Sequence, residues 1–161
     1  MKLKNAAFHR EVIAAVQKAL REQKIDAYLI LTSEGADPVT ALIPGVDTVG
    51  AGAFVFTAAG QAYAFASRID SGDIVDSGLF DRVVIYENYD TELAAFFKTL
   101  APRRIALDFS EREPLCDGLT MGRWQRFCAA AGSAGWEEVS ADTFLPQILR
   151  DHPIPEGRTE Q

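Results

Sequence analysis

Aspartates are the residues of this sequence whose type and spacing could support chemistry. Asp70, Asp73 and Asp76 recur at every third position, so they could lie on one face of a helix and offer oxygen ligands to a divalent metal ion. The alternative needs no ligand, because the helix dipole favours acids in a first helical turn and so accounts for Asp70 and Asp73. We favour the second interpretation and predict no metal ion in this chain.

Two further aspartates stand next to strand-like segments. Asp108 directly follows one such segment, and Asp26 precedes another. Open α/β sheets often place functional carboxylates at strand ends, and two such acids could hold the metal of a nuclease. The formal net charge of −7 opposes a polyanionic substrate. We therefore predict no nucleic-acid partner.

The other reactive side chains lack partners nearby in the sequence. The two histidines, His9 and His152, are predicted to be exposed to solvent. Cys116 and Cys128 have no CxxC spacing, so we interpret them as reduced thiols of a cytoplasmic protein. Neither GxSxG nor HExxH occurs, and Gly50–Gly52 precedes a strand and lacks the third glycine of a dinucleotide loop. The sequence shows no catalytic constellation.

A β-hairpin is the clearest of the elements that must position these residues. Ala53–Thr57 and Ala62–Ala66 alternate aromatic or branched residues with small ones, and Gly60 lies in the connection between them. The other strands are each followed by a helix. The hairpin therefore predicts a mixed sheet in which one strand runs against its neighbours.

The remaining pattern predicts helices and strands in alternation around that hairpin. Apolar residues from Phe8 to Leu20 recur with helical period, and Asn5 is a candidate cap. Ile69, Ile74 and Val75 could line a short helix. The other predicted strands are Ala27–Thr32, Arg82–Tyr86, Arg104–Phe109 and Trp136–Ser140. Of the later predicted helices, one is capped by Asp90, one begins near Met121, and the last is capped by Ser140 or Asp142.

These elements predict a three-layer α/β fold with a mixed sheet of five or six strands. The domain would cover residues 1–150 and be followed by a linker or tail at 151–161. With 161 residues and 48% hydrophobic content, the chain is long enough for one domain with its own core. The N-terminus does not have the composition of a signal peptide and no apolar run could span a membrane, so we expect a cytoplasmic protein without a membrane partner.

The order and spacing of several segments resemble the N-terminal domain of the creatinase, prolidase and aminopeptidase P family. The resemblance runs from about Val12 to Arg150 through the segments AYLILT, ALIPGVDTVGAGAFVFTAAGQAYAFASRID, FDRVVIYENYDTELAAFF, RRIALDFSERE and SADTFLPQILR. It implies a ribonuclease H-like α/β unit. In the family this unit precedes a pita-bread catalytic domain, in which two aspartates, a histidine and two glutamates hold a pair of divalent metal ions.

The resemblance implies a non-catalytic role for this chain, since the metal ligands belong to that catalytic domain, in the same or a partner chain. The family's N-terminal domain pairs subunits into an oligomer, here expected to be a homodimer, and covers the partner's active site. The loop residues used for that contact correspond to Val46, Asp47, Thr48, Val49 and Gly50, with Arg68 as a second candidate.

Two departures from the family pattern leave an alternative open. The segment Ala41–Gly45 keeps only the leucine and glycine of a Tyr-Leu-Thr-Gly-like motif, and Asp151–Glu156 only loosely matches the usual entry into the catalytic domain. The alternative is a stand-alone binding or interaction domain that has lost the hydrolase.

Overall fold

Five helices and six strands alternate along the chain in this computed structural model, which describes residues 5–132 and 135–155. The helices are α1 Ala6–Gln23, α2 Arg68–Ser77, α3 Tyr89–Leu100, α4 Met121–Ala131 and α5 Leu145–Asp151. The strands are β1 Ala27–Thr32, β2 Gly52–Thr57, β3 Ala62–Ala66, β4 Arg82–Ile85, β5 Arg104–Leu107 and β6 Glu137–Ser140. Short 3₁₀ turns cover Pro38–Ala41, Pro114–Cys116 and Ala141–Thr143. Of the predicted tail, residues 156–161 lie outside the described part.

The strands form one mixed sheet in the order β4-β3-β2-β1-β5-β6. β2 pairs antiparallel with both β1 and β3, whereas the pairs β1–β5, β5–β6 and β3–β4 are parallel. β2 therefore runs against the other five strands, as the hairpin predicts. Gly60 has φ +96° in the hairpin connection, a conformation that a residue without Cβ adopts at little cost.

Two apolar clusters cover the two faces of the sheet and make the fold three-layered. On one face, α1, α2 and α5 pack around Tyr28, Phe54 and Phe56; on the other, α3 and α4 pack around Leu29 and Val55. All six residues of β1 are buried, which is why its sequence is continuously apolar rather than alternating. The predicted three-layer fold with a six-stranded sheet is confirmed.

Several predictions about the starts of helices were wrong. Asn5 has φ 58° and makes no side-chain cap to α1. Asn88, not Asp90, caps α3, because its side chain accepts the Thr91 N–H. Ser140 caps the preceding 3₁₀ turn rather than the last helix.

The sheet ends on both sides in a short strand. β4 and β6 have four residues each, and Arg82, Glu137 and Glu138 on them are exposed. Arg104 of β5 forms an ion pair with Glu137 at 2.9 Å. None of the helices in the described part of the chain has the length and hydropathy of a membrane span.

Candidate functional site

The loop predicted from the resemblance is held by one buried carboxylate. Asp70, in the first turn of α2, is only 7% exposed. Its Oδ1 accepts the Val49 N–H at 2.8 Å, and its Oδ2 accepts the Gly50 N–H at 3.0 Å and the Ser67 hydroxyl at 2.9 Å. The two oxygens thus receive three hydrogen bonds, which fix the loop backbone against the start of α2.

The loop residues before Val49 face mostly inward. The Thr48 carbonyl accepts the Glu34 N–H at 2.7 Å, and the Thr48 side chain is buried. Asp47 accepts a hydrogen bond from the Thr40 hydroxyl at 2.7 Å. Val46 is half-buried against the cluster beside α1. These contacts support the loop, although Asp47 is itself exposed, and at the tip of the loop Val49 is 64% exposed.

The start of α2 adds two exposed residues next to that tip. Arg68 is exposed at the first position of the helix, and Ile69 is 83% exposed. The prediction that Ile69 and Val75 line the buried face of α2 was wrong: Ile74 is buried there, and Asp70 turns inward to meet the loop N–H groups. We call Val49, Arg68 and Ile69 the loop–helix surface.

A second carboxyl cluster lies at the carboxyl ends of β1 and β5, which are parallel neighbours. Asp108 directly follows β5, and Asp37 caps the 3₁₀ turn after β1; each is 1% exposed. The Tyr28 hydroxyl donates to Asp108 Oδ1 at 2.5 Å. Asp37 Oδ1 accepts the Val39 N–H at 3.1 Å. The Oδ2 atoms of the two aspartates receive no donor from the described residues.

The protonation of this pair follows from its burial. Burial raises the pKa of Asp108 well above its usual value, and the hydrogen bond and negative charge of Asp37 raise it further. Burial likewise raises the pKa of Asp37, although the hydrogen bond from Asp108 lowers it. The hydrogen bond between the two carboxyl groups needs one proton, and Asp108 is its donor, since this bond raises the pKa of Asp108 and lowers the pKa of Asp37. We assign one shared proton to the two carboxyl groups and call them the acid pair.

The acid pair is packed too tightly to be a metal site. A Cβ atom at Gly118 would lie 2.3 Å from Asp37 Oδ1, so glycine is needed for the close approach. Cys116 is buried beside the pair, and this burial, with the Asp108 charge, raises the pKa of its thiol to about 12. Among residues 5–132 and 135–155, no group of three or more His, Cys, Asp or Glu could hold a metal ion.

The geometry also separates the two acids of the nuclease alternative. Asp26 Oδ2 accepts the N–H groups of Arg103 and Arg104 at 2.7 and 3.0 Å, at the start of β5. Asp108 follows the end of the same strand. The two carboxylates therefore lie at opposite ends of the sheet and cannot share a metal ion.

The prediction that both histidines are exposed was wrong. His9 is fully buried, and its Nδ1–H donates to the Leu42 and Ile43 carbonyls at 3.0 and 3.2 Å. A Cβ atom at Gly45 would come within 2.4 Å of the imidazole. His152 is half-buried, and its Nδ1–H donates to the Ile148 carbonyl at 2.8 Å. Each imidazole hydrogen-bonds backbone carbonyl groups.

The described geometry matches solved structures, although no family profile and no curated protein matches the sequence. The N-terminal domain of the cytoplasmic peptidase PepQ from Mycobacterium tuberculosis is 14% identical, with a TM-score of 0.62 over 86% of this chain and 98% of that one. The Xaa-Pro aminopeptidase structure from Streptococcus thermophilus is 11% identical, with a TM-score of 0.65 over 87% and 97%.

The match to a longer solved chain covers only part of that chain. The prolidase from Pyrococcus horikoshii is 17% identical, with a TM-score of 0.57, and the match covers 88% of this chain but 34% of the prolidase. The fold is that of the N-terminal domains of prolidases, Xaa-Pro dipeptidases and Xaa-Pro aminopeptidases. The chain spans about a third of the length of that prolidase.

Proposed function

We propose that this chain is the non-catalytic N-terminal domain of an Xaa-Pro peptidase-like metallopeptidase and serves subunit association and substrate gating. The observation that carries the proposal is its structural match to N-terminal domains solved by themselves, over 86% of this chain and 98% of the PepQ domain. A fold alone does not define a function. The proposal therefore also rests on the loop–helix surface.

The loop–helix surface has the properties of a contact site. Val49 and Ile69 expose apolar side chains, and Arg68 adds a positive charge between them in chain order. Exposed apolar residues beside an arginine are typical of binding surfaces. Because Asp70 fixes the loop backbone with two hydrogen bonds, little conformational entropy is lost when a partner binds.

The chemistry of peptide hydrolysis would belong to a pita-bread domain in the same or a partner chain. That domain would hold the pair of divalent metal ions. The residues described here do not fit such ions. The backbone of Gly118 lies directly against their one buried carboxyl pair, and the pair shares a proton. We propose a homodimer in the cytoplasm as the working assembly.

The test of association is sedimentation velocity on the purified chain over micromolar to millimolar concentration. We expect a reversible dimer, and Ile69→Asp should weaken it at least tenfold because a charge would have to be desolvated in the contact. Met121→Asp is the matched control, since Met121 is also strongly exposed, at 74%, but lies at the start of α4. A monomer at every concentration, or equal weakening by both variants, would contradict association through this surface.

The test of the non-catalytic role is a peptidase assay. We expect no cleavage of Xaa-Pro dipeptides by the purified chain with manganese or cobalt. Turnover that persists after repeated purification and is lost with a chelator would show that the chain carries its own catalytic site.

A further inference from the structure

A cavity of about 220 Å³ opens where β1 ends, between the first turns of α3 and α4. Leu31 and Phe127 form apolar parts of its wall, and Arg123 and Arg126 of α4 contribute two guanidinium groups. Tyr89 closes another side, where its hydroxyl donates to the Gly52 carbonyl at 3.1 Å. The residues of the loop–helix surface do not line this cavity.

The two arginines differ in how their charges are balanced. Arg126 donates to both Asp90 oxygens at 2.8 and 3.2 Å and lies over the Tyr89 ring at 5.0 Å from its centroid. Arg123 instead donates to two neutral hydroxyls, those of Thr120 and Ser33. Within the described ranges, no carboxylate lies within ion-pair distance of Arg123.

This arrangement holds a positive charge in place through hydroxyl groups rather than through a bonded carboxylate, in a chain whose net charge is −7. Asp37 of the acid pair acts on Arg123 electrostatically, but within the described ranges it forms no ion pair with it. The hydroxyl of Ser33, at the end of β1, fixes one arm of the guanidinium, and the hydroxyl of Thr120, the N-cap of α4, fixes the other. A planar guanidinium held in this way is suited to pair with an oxyanion.

The cavity wall and size narrow the class of anion. Drug-sized ligands occupy cavities of about 300–1,000 Å³, so a volume of about 220 Å³ suits a smaller molecule. Leu31 and Phe127 offer contact to an apolar group, which inorganic phosphate lacks. We propose that this cavity binds a small organic carboxylate, with Arg123 pairing with the carboxylate group and Leu31 and Phe127 contacting its apolar body. The site is independent of the proposed association surface.

The experiment is a titration of the ¹⁵N-labelled full chain with butyrate, followed by two-dimensional NMR at constant ionic strength with chloride as the compensating anion. We expect saturable shifts at amides lining the cavity, with a Kd in the millimolar range. Arg123→Gln should weaken binding at least tenfold. Arg82→Gln is the matched control, because Arg82 is an exposed arginine of the edge strand β4, and it should leave the Kd unchanged.

A second variant keeps the test informative if Arg123→Gln fails to fold, which the same spectra reveal. Arg123→Lys retains the charge but loses the planar fork, and it should weaken butyrate binding several-fold. Shifts that do not saturate, or a Kd unaffected by both substitutions at position 123, would overturn the site. Inorganic phosphate that binds as tightly as butyrate would overturn the assignment to a carboxylate.

Discussion

Two regions of this domain bury aspartates and satisfy them in opposite ways. Asp70 receives three hydrogen bonds on its two oxygens and in return fixes a loop. Asp37 and Asp108 lie at the ends of parallel strands, and one oxygen of each receives no donor from the described residues. The first region supplies enough N–H and O–H donors to stabilise an ionised carboxylate. The second supplies too few donors, so its two carboxyl groups need a proton between them.

Burial alone therefore does not decide whether an aspartate accepts hydrogen bonds as a carboxylate or carries a proton. A carboxylate that accepts backbone N–H groups is required for loop geometry, so its loss leaves those groups without acceptors. A carboxyl pair that shares a proton already behaves partly as a neutral donor and acceptor. The comparison therefore predicts a different cost of substitution in each region, and a pH dependence of stability that comes from the acid pair.

The largest effect is expected for Asp70→Ala. This change removes three hydrogen bonds and leaves the Val49 and Gly50 N–H groups without their acceptor, so we expect a loss of about 3 kcal/mol in the free energy of unfolding. Urea denaturation measures it. Glu11→Ala, at an exposed acid of α1, is the control and should change stability by less than about 0.5 kcal/mol. Equal losses in unfolding free energy for the two variants would show that Asp70 matters no more for stability than an exposed acid.

Tyr28→Phe should have the next largest effect, because it removes the donor to Asp108 Oδ1 in a fully buried site. We expect a loss of about 2 kcal/mol in unfolding free energy. The matched control is Tyr63→Phe, whose hydroxyl donates to Gln61 in an exposed position and should matter little. A smaller loss for Tyr28→Phe than for this control would mean that the acid pair does not depend on the tyrosine.

The pH dependence tests the shared proton. Because the folded-state pKa of Asp108 is raised, the folded chain keeps a proton that the unfolded chain releases near pH 4. The contribution of that proton to the free energy of unfolding is fully present below about pH 4. It falls by about 1.4 kcal/mol per pH unit as the pH rises from there toward the folded-state pKa. The unfolding free energy of Asp108→Asn minus that of the wild type should therefore increase from pH 4 to pH 7. A constant difference would exclude the shared proton.

The smallest effect concerns the residue that lies between the two regions. The Thr40 hydroxyl lies 2.9 Å from the Asp37 carbonyl oxygen and 2.7 Å from Asp47 Oδ1. Thr40→Val should cost about 1 kcal/mol. In double-mutant cycles it should couple with Asp47→Ala by about 0.5 kcal/mol or more and be additive with Asp70→Ala. Coupling to Asp70→Ala would show that the loop and the acid pair form one unit.

The order of the elements and the direction of β2 could be predicted from the sequence because their signals are local. A continuous apolar run identifies β1, and a four-residue connection with Gly60 forces β2 and β3 to be antiparallel. The inward face of α2 could not be predicted in this way. Its apolar residues Ile69 and Val75 point outward, since the distant loop N–H groups require Asp70 inside.

The buried polar residues were missed because their partners are remote in the chain. His9 meets the Leu42 carbonyl 33 residues away, and Tyr28 meets Asp108 80 residues away. In the sequence, Asp108 is identifiable only as an acid that follows a strand-like segment, and Asp37 only as the residue before Pro38. Arg123 carried no sequence signal, because Ser33, which fixes one arm of its guanidinium group, lies 90 residues away in the chain. Whether Val46–Gly50 and Arg68 contact a partner stays a prediction.

The two outermost strands limit how copies of this domain can join. β4 and β6 are only four residues long and present charged side chains, among them Arg82 and Glu137, to the outside. Short, charged borders discourage a neighbouring chain from adding its own strand. Growth of one continuous sheet across molecules is thus disfavoured, and contacts between copies are left to helices and connecting segments.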